Sequence, residues 1–339
     1  MKKLSIVLFG GNTKGQDSPL LIFAKIAREK NCDIKIITDK THLNLPTKSG
    51  ITFQEKLKIA KLEWNETNKL NLSSIEKKIN KNSVGISLNS PWIFKNDIID
   101  FFKGNLYNYH DSLLPKFRGA AGYTWAILQQ ERNWGLTIHR IEKSLDVGDI
   151  VKQKKIHFPK SCKIPIDYLN YKAKFERVFF SKFIEDLKNK KKFLVKRQDH
   201  SYSTYWPRLI TPVNGFINWA WSSKQIELFI QAFDDPHQGV TTFLEGKKIR
   251  LKKCLKSNKK NNHHPFQTGI VFRKTKDGIF IATNDGEIII QEVLNTNGKN
   301  ISDKVKLGYR FYTPYKFLDN SLSNHANYQA IKKIESKNE

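Results

Sequence analysis

Asn108, His110 and Asp146 are the residues best suited to chemistry. They stand in Asn108-Tyr109-His110-Asp111-Ser112-Leu113-Leu114-Pro115 and Leu145-Asp146-Val147-Gly148-Asp149-Ile150, with Arg118-Gly119 between them. A carboxamide, an imidazole and a carboxylate beside tight turns are the parts needed to pass an acyl group to an amine. Attack on the acyl carbon puts negative charge on its oxygen, and the Asn108 NH2 and a His110 N–H suit the donors that must meet it. An imidazole titrates near neutrality, so His110 can also move protons between attacking and leaving nitrogens. Asp146, hydrogen-bonded to that ring, would fix its tautomer and favour its charged form. Taken singly each has a bland explanation: a lone His is more often structural, and an Asp near a Gly is usually a turn residue. The combination is what points to catalysis.

These groups need a scaffold that aims them together. On an extended segment, Asn-x-His points both side chains to one face, because strand side chains repeat every second residue. Residues 4–9 read as an apolar strand, 10–15 as a loop, Pro19–Lys30 as an amphipathic helix starting near Ser18, and Cys32–Thr38 as a second strand, a β-α-β unit. Val84–Leu88 is expected to be another parallel strand, with a helix from Asp97 and a strand at Asn105–His110 whose carboxyl end delivers the catalytic pair. Ligands of open α/β sheets bind beyond such ends. Thr137-Ile138-His139 alternates as an edge strand leading to Asp146. The loop Gly10-Gly11-Asn12-Thr13-Lys14-Gly15 is not a P-loop, because Gln16 and Asp17 stand where Lys and Ser or Thr are needed, and its glycine spacing is not that of a dinucleotide fingerprint. A tight β-α turn explains it better than a ligand role.

Past residue 160 the character changes. Ile164–Leu187 reads as one long helix, with Tyr168, Tyr171, Phe175, Val178 and Phe179 forming a stripe better suited to a core than to base stacking. Lys247–Lys253 alternates as a strand with solvated lysines, and Lys256–His264 is a polar connection. Gly269–Val293 alternates apolar and polar residues, with turn signals at Asp277-Gly278 and Asp285-Gly286. Short strands spaced by such turns suggest a small barrel of the OB type.

At 339 residues the chain can hold two domains with real cores. Its net charge of +27 raises the question of a nucleic-acid or anionic partner. Lysine is spread through the whole chain alongside Asn and Ile, however, which reads as compositional bias more than as a local patch. No run of about eighteen apolar residues occurs. The short N-terminal strand meets Gly10-Gly11 rather than a cleavage site, so no signal peptide is expected. Cys32, Cys162 and Cys254 are scattered and lack metal-ligand spacing. A reducing cytoplasm fits.

In their order and intervals, Asn108, His110, Ser112-Leu113-Leu114-Pro115, Arg118-Gly119 and Asp146-Val147-Gly148-Asp149 resemble the signature of the folate-dependent formyltransferases. The resemblance implies catalytic roles for Asn108, His110 and Asp146, 10-formyltetrahydrofolate as formyl donor, and no metal. It implies that Ser90, Trp92 and Ile93, in a segment where family members bind the pterin largely through backbone groups, hold the donor together with Ser112, Leu113, Leu114 and Pro115. Gly10, Asn12, Arg118 and Gly119 are then candidates for the acceptor side. His139 occupies a family position that is mainly structural.

Trp206-Pro207-Arg208-Leu209 and Asn214-Gly215-Phe216-Ile217-Asn218-Trp219 resemble the start of the family's C-terminal domain. The expected fold is α/β: a Rossmann-like open parallel sheet over residues 1–200, a small C-terminal OB-like β-barrel over 201–318, and a polar tail over 319–339. Within the family, Gly122 stands where enzymes acting on tRNA show Pro, and Gly308-Tyr309-Arg310-Phe311-Tyr312-Thr313-Pro314 is closer to sugar-formylating relatives. The preferred acceptor is therefore a nucleotide-linked amino sugar made for surface polysaccharide such as lipopolysaccharide or O-antigen. The alternative is methionyl-tRNA, with the barrel lysines on its phosphates. A catalytically idle relative that binds RNA is a third, and the intact Asn108, His110 and Asp146 argue against it. Tyr123, Trp125 and Trp134 suit an acceptor pocket or a homodimer interface equally.

Overall fold

The computed structural model describes residues 3–12, 18–255, 257 and 262–323. Thr13-Lys14-Gly15 of the first loop, Lys256 and residues 258–261 of the polar connection, and the tail from residue 324 lie outside them. The chain divides into two compact units. One comprises residues 1–119, 133–158 and 170–205, and the other residues 120–132, 159–169 and 206–339.

The first unit is built on seven strands: β1 (Ser5–Gly10), β2 (Asp33–Thr38), β3 (Trp64–Glu66), β4 (Val84–Leu88), β5 (Leu106–His110), β6 (Asn133–Arg140) and β7 (Ile150–His157). Their spatial order is β3-β2-β1-β4-β5-β6-β7. The first five run parallel. β6 and β7 are antiparallel additions, so the expected parallel sheet is completed as a mixed one. β1 is buried on both faces, as a central parallel strand requires. Val7 and Phe9 join a cluster with Ile37, Phe94, Ile98, Phe102 and Leu106. On another side of the core Phe23 meets Phe180 edge-on at 5.2 Å.

Helix Pro19–Glu29 starts where expected: Ser18 accepts a hydrogen bond from the Leu21 N–H, and Pro19 occupies the first turn, where its missing N–H costs nothing. The segment Thr137–His139 is not on an edge. It belongs to β6, which is buried almost throughout and covered by β7, the true edge. Along the long helix, Pro165–Lys188, Val178 is 58% exposed, and Phe180, Phe183 and Ile184 are buried in its place. None of the helices among the described residues is long and apolar enough to cross a membrane.

The second unit holds β8 (Val240–Leu244), β9 (Lys247–Leu255), β10 (Val271–Thr275), β11 (Gly278–Thr283), β12 (Gly286–Asn295) and β13 (Phe311–Tyr312), in the order β10-β11-β12-β9-β8-β13. All these pairings are antiparallel. The sheet closes on itself through an Ile270–Arg310 bridge, with Val271 N–H donating to the Tyr309 carbonyl (2.8 Å) and Phe311 N–H to that of Gly269 (2.9 Å). The two Asp-Gly signals fall at the β10–β11 and β11–β12 turns. Helix Ser223–Ala232 begins with a capping box between Ser222 and Gln225 and buries Ile226, Phe229 and Ile230.

Candidate active site

Strand parity puts the Asn108 and His110 side chains on one face of β5 and Tyr107 and Tyr109 on the other. Asn108 is paired across the antiparallel ladder with His139 of β6. Asp146 lies in the connection from β6 to β7 and has the left-handed backbone conformation, with φ of 55°. Aspartate tolerates that conformation better than most residues.

The three predicted catalytic side chains converge. Asn108 Nδ2 donates to Asp146 Oδ1 at 3.3 Å and lies 3.2 Å from His139 Nε2. His110 Nδ1 faces Asp146 Oδ2 at 3.7 Å, and the Gly119 N–H donates to the same oxygen at 3.0 Å. His110 Nε2 is 2.7 Å from the Phe117 carbonyl. A carbonyl only accepts, so that nitrogen carries a proton. Burial of Asp146 works against its ionisation. The opposing charge of His110, the hydrogen bond and charge of His139, and the Gly119 N–H nonetheless hold its carboxyl well below the usual carboxylate range.

His139 is where spacing and structure part company. Its sequence context gives it a structural role, yet the fold buries it inside the cluster, 3.4 Å from Asp146 Oδ1. Its Nδ1–H donates to the Arg140 carbonyl at 2.7 Å, which leaves Nε2 to accept from Asn108 when the ring is neutral and to pair with Asp146 when it is charged. The cross-strand partner of Asn108 was the available signal.

Gln198 had none. It is buried, and its Nε2 donates to the carbonyls of Asp146 (2.9 Å) and Gly148 (2.7 Å), pinning the strained loop. Its Oε1 accepts from Arg118 Nε and Nη2 at 3.2 and 2.7 Å, and the Arg118 guanidinium also lies 3.2–3.3 Å from His200 Nδ1. The guanidinium is thus engaged in supporting the Asp146 loop.

Other candidate residues form the surroundings. Ser112 is buried, donates through Oγ to the Lys116 carbonyl, and accepts from Thr137 Oγ1 at its own carbonyl. Leu113 approaches Gly135, Leu114 is buried with its carbonyl accepting from Gln153 Nε2, and the Leu114–Pro115 bond is cis. In the loop leaving β4, Ser90 Oγ accepts from the Trp92 N–H; Trp92 is half-buried and Ile93 is 70% exposed. Gly10 ends β1 so close to β4 that a Cβ would lie 1.8 Å from the Leu88 carbonyl oxygen. Asn12 is buried, with Nδ2 donating to the Pro46 carbonyl at 3.1 Å.

The three aromatics separate. Trp134 is a fully buried core residue, packed on Phe117 at 4.8 Å, and so is neither pocket nor interface. Tyr123 and Trp125 are half-buried, the first against Tyr168 and the second against Trp206 with Nε1 donating to the Pro207 carbonyl.

A Cβ at Gly148 would lie 2.0 Å from the Arg140 carbonyl oxygen, the acceptor for His139. Gly148→Ala should therefore displace that carbonyl, cost about 1–3 kcal/mol of stability and lower turnover at least roughly tenfold. Denaturant unfolding and a folate-release assay on the same preparation measure both.

Residues 33–162 match the family described as formyl transferase, and residues 209–306 match its C-terminal domain. The methionyl-tRNA formyltransferase of Pseudothermotoga lettingae is 30% identical over 220 residues, 65% of this chain and 70% of the relative. Among solved structures, a sugar 3N-formyl transferase determined with dTDP and 5-N-formyl-THF is alike with a TM-score of 0.63, covering 86% of this chain and 98% of its own at 22% identity. The N-formyltransferase of Helicobacter canadensis, in complex with folinic acid and dTDP-3-aminofucose, gives 0.62, with 86% and 100% covered at 21% identity. These last two are likenesses of fold. With both domain matches in chain order and the Asn-His-Asp cluster assembled in the first of them, the chain belongs to the folate-dependent formyltransferase family.

Proposed function

We propose that the chain transfers a formyl group from 10-formyltetrahydrofolate to the amine of a nucleotide-linked amino sugar, in the cytoplasm, for surface polysaccharide. The observation that carries the chemistry is the convergence of Asn108, His110 and Asp146. The exposed Ile93 beside half-buried Trp92 offers an apolar surface for a flat heterocycle next to the catalytic strand, because β4 pairs with β5 with Ser87 opposite Asn108. Ser90, Trp92, Ile93 and the turn Ser112–Pro115 would hold the donor, and Gly119 would face the acceptor, while Gly10 and the buried Asn12 shape the turn after β1.

The donor supplies an activated formyl carbon; the chain supplies the rest. As the neutral amine attacks, charge develops on the formyl oxygen, where an Asn108 N–H and a His110 N–H would meet it. In the free protein those donors rest on Asp146, His139 and the Phe117 carbonyl, and the two Asn108 contacts are long enough for a developing anion to displace. His110 or a site water would then carry the proton to the leaving nitrogen, with Asp146 balancing the imidazolium.

For the acceptor, the reading is supported by the near-complete coverage of two sugar-formylating chains and by Gly122 in place of Pro. Methionyl-tRNA remains the second reading, favoured by the sequence relative named above and by the basic strand β9. Folate release should be measured with methionyl-tRNA and with a panel of amino-sugar nucleotides in separate wells. Turnover with a sugar nucleotide alone, lowered about a hundredfold to a thousandfold in His110→Ala, is the expected result. Turnover with tRNA alone overturns the sugar assignment, and unchanged turnover in His110→Ala overturns the mechanism.

A further inference from the structure

Directly behind the catalytic pair lies a charged network, buried at Lys172 and Glu176, that the reaction does not use. Lys172, on the long helix Pro165–Lys188, has a side chain 4% exposed. Its Nζ lies 2.8 Å from Asp111 Oδ2 and 2.9 Å from Glu176 Oε1. The Tyr109 hydroxyl donates to the same Glu176 oxygen at 2.7 Å, and Trp134 Nε1–H donates to Asp111 Oδ1 at 3.3 Å. The Tyr109 ring also packs edge-on against Phe180 of the same helix at 4.9 Å.

Residues 109 and 111 are the two neighbours of His110. Both are therefore tied to helix positions one turn apart, with Lys172 as the shared link. A lysine so enclosed is an expensive choice for stability alone, since a buried ion pair is often matched or bettered by apolar residues of similar volume. Burial opposes its charge, but the two carboxylates more than compensate and hold its pKa above the ordinary lysine value. What an ion network provides that an apolar contact does not is direction.

We propose that Lys172 is a positioning residue for formyl transfer: by clamping Tyr109 through Glu176, and Asp111 directly, it fixes the aim of His110 at Asp146 and at the reacting carbon. It touches neither substrate, and it acts through the backbone on either side of the imidazole. A misplacement of about 1 Å in a catalytic group can cost roughly a hundredfold in rate.

This rests on the family's chemistry and not on which amine accepts, so its test has a readout free of the acceptor. Lys172→Met keeps the length of the side chain and removes the charge. Arg273→Met is the matched control: it strips the cationic partner from another buried carboxylate, Glu287, whose two oxygens lie 3.1 and 3.2 Å from Arg273 Nη2 in the barrel.

Both variants should melt at lower temperature than the wild type. Only Lys172→Met should lose the single set of His110 imidazole nitrogen NMR signals, the signature of one fixed ring orientation, Nε2 being held on the Phe117 carbonyl in the wild type. It should also lower kcat about a hundredfold, with KM for the folate donor changed less than about twofold. Lys172→Arg should recover part of kcat. The clamp is overturned if His110 keeps its signature in Lys172→Met, or if kcat falls no further than in Arg273→Met. A wild type that turns over none of the acceptors offered refutes the acceptor assignment, and the His110 signature then decides the clamp alone.

Discussion

Asp146→Asn should reduce turnover about a thousandfold or more while leaving the volume of the side chain almost unchanged. Both Asp146 oxygens act as acceptors: Oδ1 takes an N–H from Asn108, Oδ2 takes the Gly119 N–H, and each also faces an imidazole. A carboxamide has one acceptor end only. Whichever way it is turned, its NH2 meets a donor, the Asn108 NH2 or the Gly119 N–H, and one buried donor is left unpaired at about 1–3 kcal/mol. The imidazolium at His110 also loses its counter-charge, and in a comparable His–carboxylate pair that change costs about four orders of magnitude. Steady-state kinetics at saturating donor and acceptor measure the effect, and a loss under tenfold would remove Asp146 from the mechanism. The same substitution has a signature in acid. The Asp146 carboxyl is held below its ordinary value of 3.8, so its contribution to stability is present above that value and is lost as pH falls through the lower folded value. Unfolding free energies measured from pH 5 downward should show this loss in the wild type and not in Asp146→Asn.

Trp134→Ala should cost about 3–5 kcal/mol, the range for removing a large buried aromatic. Trp134 is wholly inaccessible, packs against Phe117 and Phe158, and supplies the N–H that Asp111 accepts. The deletion therefore leaves a cavity and removes one of the donors to Asp111. Against a typical domain stability of about 5–15 kcal/mol, that loss takes a fifth of the total or more. Trp134→Phe, which keeps most of the volume, should recover over half of the loss. Urea midpoints for the three proteins test this, and a shift of less than about 1 kcal/mol for Trp134→Ala would contradict the packing described.

The parts of this molecule that were legible in the sequence are those set by local rules. The aim of Asn108 with His110 follows from strand parity, the start of helix Pro19–Glu29 from Ser18 and Pro19, and the β10–β12 hairpins from two Asp-Gly pairs. Where a residue's role depends on a distant partner, the signal failed. Ile150–His157 carries lysines at 152, 154 and 155 and shows little alternation, yet it pairs along β6 and makes that strand interior. Gln198 sits in a polar stretch, between Arg197 and Asp199, and its importance comes from two carbonyls some fifty residues earlier in the chain. The partner of His110 Nε2 is a main-chain oxygen, that of Phe117, to which residue type gives no clue. Val178 fits the helical stripe by spacing, but the helix turns its Phe180, Phe183 and Ile184 inward instead.

The closure of the six-stranded sheet constrains how the second unit can recognise anything. An open sheet offers a row of unpaired N–H and carbonyl groups, and an extended peptide can dock there as an added strand whatever its side chains. Here the Ile270–Arg310 bridge and its neighbouring hydrogen bonds consume that edge. A partner of the barrel must therefore be read through side chains projecting from its outer face, such as the exposed Lys247 and Lys253 or Phe266 under the Arg310 guanidinium. Selectivity in this unit is thus open to change one surface residue at a time, without disturbing the ladder beneath.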